Sequence, residues 1–247
     1  HCHKRSGHGR ISLPRALAAS ADVYFYKLGE AIGIDRLADY GLRFGFGRAS
    51  GLKINGDATG LIPTKAYHDE ATPGGFQYGL SLSTAVGQGD VRTTPLQMAV
   101  AYAALANGGQ ILRPFVIKKV TRSDGTVVSE GKVVVVNEVG GSEQFLSVIN
   151  QGLAEAVQDE KYGTAKLAAT SRGTLAGKTG TAQVRKLARR RNRQTVSHFR
   201  ERDHAWFAGF APLDDPKISL VIFLEHGGSG GKKAAPIARQ ILEQYDS

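Results

Sequence analysis

One cysteine in 247 residues, Cys2, excludes an internal disulfide, and it leaves the compartment open because many exported bacterial proteins carry none. Long apolar runs are missing too. The stretch ISLVIFL at 218–224 is among the longest, far short of the roughly 20 residues that cross a bilayer. The opening HCHKRSGHGR has neither an initiating methionine nor the apolar core of a signal peptide, so the chain reads as a piece of something longer. Acids are few, 22 against 32 Lys and Arg, for a formal charge of +10. That excess is local: residues 185–203 hold eight Arg or Lys and two acids, or +6 of the total. The stretch lacks interleaved aromatics and a reading helix, so we expect a solvated basic loop and no nucleic-acid partner. Strong salt dependence would mark the alternative, a binding module for an anionic glycan, lipid or nucleic acid. With 41% hydrophobic and 22% charged residues the chain is neither disordered nor fibrous, and 1–247 is expected to form one domain.

Apolar periodicity in SLPRALAASADVYFYKLGEAIG indicates helical segments interrupted at Ser20, Ala21 and Asp22. GIDRLADYGLRFGFG reads as a further helix with Asp35 as its cap, and 45–79, rich in Gly, Pro, Asp and Asn, as extended loop. The clearest helix is 93–109, capped by Thr93 or Thr94, with Pro95 in its first turn and a nearly all-apolar interior suited to a core. Asp124-Gly125 between β-branched runs predicts a hairpin, and 142–158 a helix capped by Ser142. Strands are expected at 174–184, 204–211 and 218–225, followed by a closing helix. The predicted architecture is a mixed α/β (α+β) fold, an antiparallel sheet covered by the last helix with alanine-rich helices beneath.

Three groups carry chemistry: Ser20-Ala21-Asp22, Lys178-Thr179-Gly180-Thr181, and Gly87-Gln88-Gly89 ahead of TTPLQMA. Serine acyl transfer needs a nucleophile, a base, oxyanion donors and a cationic or hydroxyl-rich patch for a substrate carboxylate. Side chains alternate along a strand, so Lys178 and Gly180 share one face while Thr179 and Thr181 share the other. A plain strand therefore does not aim all three polar groups one way.

The segments SADVYFYKLG, GQGDVRTTPLQMAVAYAALANGG, LAGKTGTAQ and DHAWFAGFAP, in this order, resemble the carboxy-terminal part of the transpeptidase domain of class B penicillin-binding proteins, closest to the elongation-specific subgroup. The resemblance implies a penicilloyl-serine-transferase fold. It implies a peptidoglycan D,D-transpeptidase that cross-links stem peptides and is acylated by β-lactam antibiotics. Ser20 matches the serine of the second motif, which takes part in proton shuttling; Asp22 stands where asparagine is commoner. Lys178, Thr179 and Gly180 match the third motif: Lys178 orients Ser20, Thr179 and Thr181 bind the substrate carboxylate, Gly180 lets substrate backbone approach, and the Thr181 N–H forms half of the oxyanion hole. The parent is expected in the bacterial inner membrane with its catalytic domain in the periplasm, beside cell-wall elongation membrane proteins. The first motif, a nucleophilic serine with lysine three residues on, does not occur before Ser20, so this chain is expected to be inactive alone. An inactive fragment, or a D,D-carboxypeptidase or β-lactamase-like hydrolase, is the alternative.

No cofactor is required by this chemistry; the stretch with Cys2 and His8 reads either as a polar loop or as half of a structural zinc site that upstream aspartates would have to complete. His68, His204 and His226 read as ordinary loop or strand-end residues, Trp206 and Phe207 as core, and 225–231 as a flexible cleft rim whose Gly227 and Gly228 admit substrate backbone.

Overall fold

The computed structural model describes residue 4 and residues 6–52, 55–171, 173–184 and 199–245. Three strands form the central antiparallel sheet in the order β5 (Ala176–Ala182), β6 (His204–Ala211) and β7 (Ile218–Leu224). Their bounds lie within two residues of those read from the β-branched and aromatic runs. Register pairs Lys178 with Ala208 and Gly180 with Trp206, and it leaves the far edge of β5 without a strand neighbour among the described residues.

Alternation along β6 sorts the two faces. Ala205 and Phe207 join the cluster built on Ala234, Ala235, Ala238 and Leu242, which belong to a five-residue π turn (Gly230–Ala234) and the closing helix α8 (Ala235–Gln244). Phe210 packs the other way, with Ala176, Leu153 and Ala154, against α6 (Pro95–Ala106) and α7 (Glu143–Gln158). Both phenylalanines are fully buried, each contributing about 1.5–3 kcal/mol relative to exposure. Trp206 faces as Phe210 does but is only partly buried, its ring 4.5 Å from Phe223; of the expected aromatic pair, Phe207 alone is in the core. Helix α6 is the core helix expected, and of the two threonines it is Thr94 that caps it, accepting from the Gln97 N–H while Gln97 Oε1 accepts from the Thr94 N–H.

Three sequence expectations change. Residues 45–79 hold helix α4 (Lys65–Ala71) and the start of α5 (Tyr78–Ala85), short elements without the apolar repeat that marks a helix in sequence. His68 lies in α4, is 1% exposed and shares a 2.9 Å hydrogen bond with Thr72. Asp35 does not cap α3 (Ile34–Arg43); Gly33 occupies that position, and Asp35 accepts from the Lys65 N–H at 2.8 Å. Ser142 does occupy the N-cap of α7 as expected, though its side chain makes no cap bond. The hairpin forms as expected from β2 (Lys119–Thr121) and β3 (Val127–Glu130), while β1 (Gln110–Leu112) pairs with β4 (Val135–Glu138).

Helices α1 (Leu13–Ala18) and α2 (Asp22–Ile32) flank Ser20. A side chain at Gly152 of α7 would stand 2.8 Å from Leu17 Cδ1 and 2.9 Å from the Pro14 Cα, so glycine lets α1 lie directly on α7. Arg15 fastens the same contact: it pairs with Asp159, and its guanidinium lies 4.4 Å from the Tyr162 ring centre. Gly152→Ala is expected to destabilise the fold by about 1–3 kcal/mol through overpacking, read as a lowered urea midpoint; an unchanged midpoint would mean that α1 is not held by this close approach.

Candidate active site

Helix α1 ends in a left-handed turn that sets Ser20 in place. The Ala21 N–H donates to the Ala16 carbonyl at 2.9 Å and the Ser20 N–H to the Leu17 carbonyl at 3.2 Å, the paired bonds of a Schellman cap. Glycine normally fills the left-handed position; here Ser20 does, at φ 48°, a conformation that costs a side-chain-bearing residue roughly 1 kcal/mol or more. In this geometry its hydroxyl meets groups from two distant segments. The Lys178 Nζ donates to Ser20 Oγ, and Ser20 Oγ stands 3.1 Å from Thr164 Oγ1.

Thr164 is the residue that sequence reasoning missed. Its hydroxyl and its N–H both donate to the Ala18 carbonyl, each at 3.2 Å, closing the open end of α1. With its single proton so used, Thr164 Oγ1 accepts from Ser20 and, at 3.5 Å, from Thr179. Hydrogen bonds thus run from Lys178 through Ser20 and Thr164 to a helix carbonyl, with Thr179 joining from the side. The only sequence signal was GTA at 163–165, next to no recognisable element.

This arrangement resolves the alternation problem. Lys178 lies on the α6–α7 face of β5, and Thr179 and Thr181 on the α8 face, as period-two geometry requires. They converge because Ser20 and Thr164 lie at the strand's open edge, where both faces can be reached. The Lys178 Nζ also donates to the Thr179 carbonyl at 3.0 Å, and the Gln88 Nε2 to the Thr181 carbonyl at 3.0 Å, so the backbone of both threonines points outward to that edge. Thr181 is exposed, while Lys178, Thr179 and Gly180 are partly buried. Desolvation pulls Lys178 down from 10.5 to about 8, opposed by the charge of Asp22 in the first turn of α2. At neutral pH the ammonium therefore persists, poised to release a proton.

The rim is more constrained than glycine content suggests. The His226 N–H donates to His204 Nδ1 at 2.9 Å, and His226 Nδ1 meets the Arg202 carbonyl at 3.0 Å, tying 225–231 to the start of β6. Gly227 serves packing, since a Cβ there would stand 2.6 Å from that of Leu224, and Gly228 opens to empty space. The close approach to the site belongs to Gly230, where a Cβ would stand 2.3 Å from the Gly180 and Trp206 carbonyls, and to Gly231, 2.8 Å from the Thr164 carbonyl.

A serine at the end of one helix, a desolvated lysine on a strand edge and threonines around both are the group types that serine acyl transfer calls for. The penicillin binding protein transpeptidase domain model matches residues 1–243. The chain belongs to this family. It is 32% identical over 245 residues to the peptidoglycan D,D-transpeptidase MrdA of Haemophilus influenzae, covering 98% of this chain and 37% of that protein. Among solved structures, Pseudomonas aeruginosa PBP2 in complex with WCK 5153 superposes with a TM-score of 0.80 at 34% identity, over 98% of this chain and 49% of that one. Helicobacter pylori PBP2, in a complex with MreC, gives 0.78 at 28% identity, over 98% and 42%. The chain thus spans well under half the length of the curated relative, and its mixed α/β fold is that of the penicillin-binding transpeptidases.

Cys2 and the basic stretch 185–198 lie outside the described residues, and among those described no group of three or more His, Cys, Asp or Glu is placed to hold a metal. His8 lines a cavity of about 320 Å³ with Arg10, Ile11, Ser12, Arg15 and Tyr162. No described helix is long and apolar enough to cross a membrane.

Two outcomes follow. Ser20→Gly and Ser20→Ala both remove the hydroxyl, but only alanine keeps a Cβ in the left-handed turn, so the glycine variant should be more stable by about 1 kcal/mol in paired urea melts. Equal stabilities would show that the turn relaxes when the hydroxyl is lost. The unfolded chain keeps the Lys178 proton up to about 10.5 and the folded chain releases it near 8. Between those values the unfolded state binds more protons, so this residue makes stability rise with pH. Lys178→Met should flatten the rise of melting temperature between pH 8 and 10.5, and an unaltered slope would place the ammonium in water.

Proposed function

We propose that this chain is the part of a peptidoglycan D,D-transpeptidase that binds the donor peptide and relays protons, acting in cell-wall elongation. The observation that carries the reading is the hydrogen-bonded series Lys178, Ser20, Thr164 and Thr179 at the open edge of β5. A stem peptide ending in D-alanyl-D-alanine would lie along that edge with its terminal carboxylate against the hydroxyls of Thr179 and Thr181. Gly180 leaves room for its backbone. The Thr181 N–H faces the cleft and would stabilise the oxyanion as a serine outside this chain attacks the penultimate carbonyl. The attacking serine gives up its proton, and as the C–N bond breaks an equivalent proton reaches the departing D-alanine amine by way of Lys178 and Ser20, leaving Lys178 protonated as before. The amine of a second stem peptide then attacks the acyl-enzyme ester, and the serine leaves with its proton restored. Asp22 holds positive charge on Lys178 against the cost of burial.

Relatives named MrdA support the substrate class, and the solved complex of Helicobacter pylori PBP2 with MreC supports cell-wall elongation proteins as partners. β-Lactams would occupy the same edge through their carboxylate. The same relationship supports a periplasmic location for this domain, in a protein anchored to the inner membrane. Cys2 and His8 would be two ligands of a structural zinc, a role separate from the chemistry above.

Intact-mass spectrometry of the longer protein after incubation with benzylpenicillin should show one stoichiometric adduct, mapping to a serine peptide outside these 247 residues. An adduct on Ser20, or none on a folded sample, would overturn the assignment. Rapid loss of the adduct to hydrolysis would favour a carboxypeptidase or β-lactamase.

A further inference from the structure

The Gln88 side chain lies against the open edge of β5 from a loop 93 residues away in sequence. Its Nε2 donates to the Thr181 carbonyl at 3.0 Å and its Oε1 accepts, at the longer distance of 3.4 Å, from the Gln183 N–H. A neighbouring strand would offer one acceptor and one donor at the same spacing. One carboxamide thus replaces a strand where none pairs among the described residues.

The rest of the loop delivers that amide. Helix α5 closes with the same cap as α1: the Gly87 N–H donates to the Thr84 carbonyl at 3.0 Å, and the Gln88 N–H to the Ser83 carbonyl at 2.9 Å. Gly87 and Gly89 take φ 69° and 73°, conformations that let the chain turn on both sides of Gln88. A few residues on, Leu61 and Arg92 exchange backbone hydrogen bonds of 2.8 and 2.9 Å, and Thr94 caps α6, so the loop is anchored at both ends.

We propose that Gln88 is a positioning residue for the reaction: it holds the Thr181 carbonyl and the Gln183 N–H, and so fixes the direction in which the Thr181 N–H meets the developing oxyanion. In an extended strand the N–H and C=O of one residue point to the same side. Gln88 takes the Thr181 carbonyl and leaves its N–H to the substrate. Without a partner, an edge carbonyl turns toward water by rotation about the Thr181 backbone and carries the N–H off line. Glutamine meets the requirement because it both donates and accepts. Glutamate at this position presents two acceptors to a carbonyl, and leucine presents neither.

The inference rests on the transpeptidase reading, and the test separates the two. In the full-length protein, Q88L and Q88E should lower the second-order rate of acylation by a chromogenic penicillin roughly tenfold or more, part of the 10²–10³ that loss of an oxyanion donor costs. The dissociation constant of the pre-covalent complex should stay within about twofold of the starting protein, an order-of-magnitude expectation for a lost transition-state contact. The acyl-enzyme ester carbonyl stretch, followed by infrared difference spectroscopy, should move to higher wavenumber as its hydrogen bond weakens. Amide hydrogen exchange at Gln183 should quicken in Q88L with the global melting temperature preserved, whereas Q88E keeps an acceptor for that N–H. If the carbonyl stretch and the acylation rate are unchanged in a folded Q88L, Gln88 is a structural contact and the proposal fails. If the unaltered protein takes no acyl group at all, the transpeptidase reading fails instead. The clamp is then decided by exchange alone, and unchanged exchange at Gln183 in Q88L overturns it.

Discussion

The carbonyl of Ala18 at the end of α1 needs a partner, and Thr164 supplies two donors to it from a segment 146 residues away in sequence. Most of the site depends on that bond. Because Thr164 commits its only hydroxyl proton to the helix end, its oxygen is left to accept from Ser20 and Thr179. Ser20, in turn, is the left-handed residue of the cap that follows, so the geometry that terminates the helix also aims the serine at Lys178. Helix termination, strand placement and site assembly form one hydrogen-bonded problem.

Close packing makes that solution hold. Gly152 lets α1 settle on α7, and Arg15, with Asp159 and Tyr162, fixes the turn leading to Thr164. Asp159 also accepts from the Lys161 and Tyr162 N–H groups, which shapes that turn and keeps its carboxylate below the usual range. On the other side Gly230 and Gly231 bring the start of the π turn against Gly180 and Thr164. The cleft wall is therefore packed from both faces of the sheet while its edge stays open.

Two helices contribute to this edge by the same device. The caps of α1 and α5 each direct the residue at or just after their left-handed position toward β5, Ser20 from one and Gln88 from the other. A cap that satisfies orphaned carbonyls also gives the next side chain a defined exit. In α5 glycine accepts the left-handed turn without strain; in α1 serine bears it, and its hydroxyl bonds to Lys178 and Thr164 offset the cost.

Local patterns were enough to read the central strands, the hairpin, α6 and α7, because each depends on periodicity or turn chemistry contained within a few residues. The motifs at Ser20 and Lys178-Thr179-Gly180-Thr181 were legible as a family resemblance. The short helices α4 and α5 were not, since they are stabilised by contacts such as the burial of His68 rather than by a repeating apolar face. Sequence by itself determined which residue types were available and on which strand face each would lie. Tertiary structure alone decided that Lys178 and Thr179, on opposite faces, would share a network. That outcome needs partners reaching the strand edge from Ser20, Thr164 and Gln88, and no local rule brings residues 20, 88, 164 and 178 together; only the packing of α1 on α7 and the anchoring of the loop after α5 can do so.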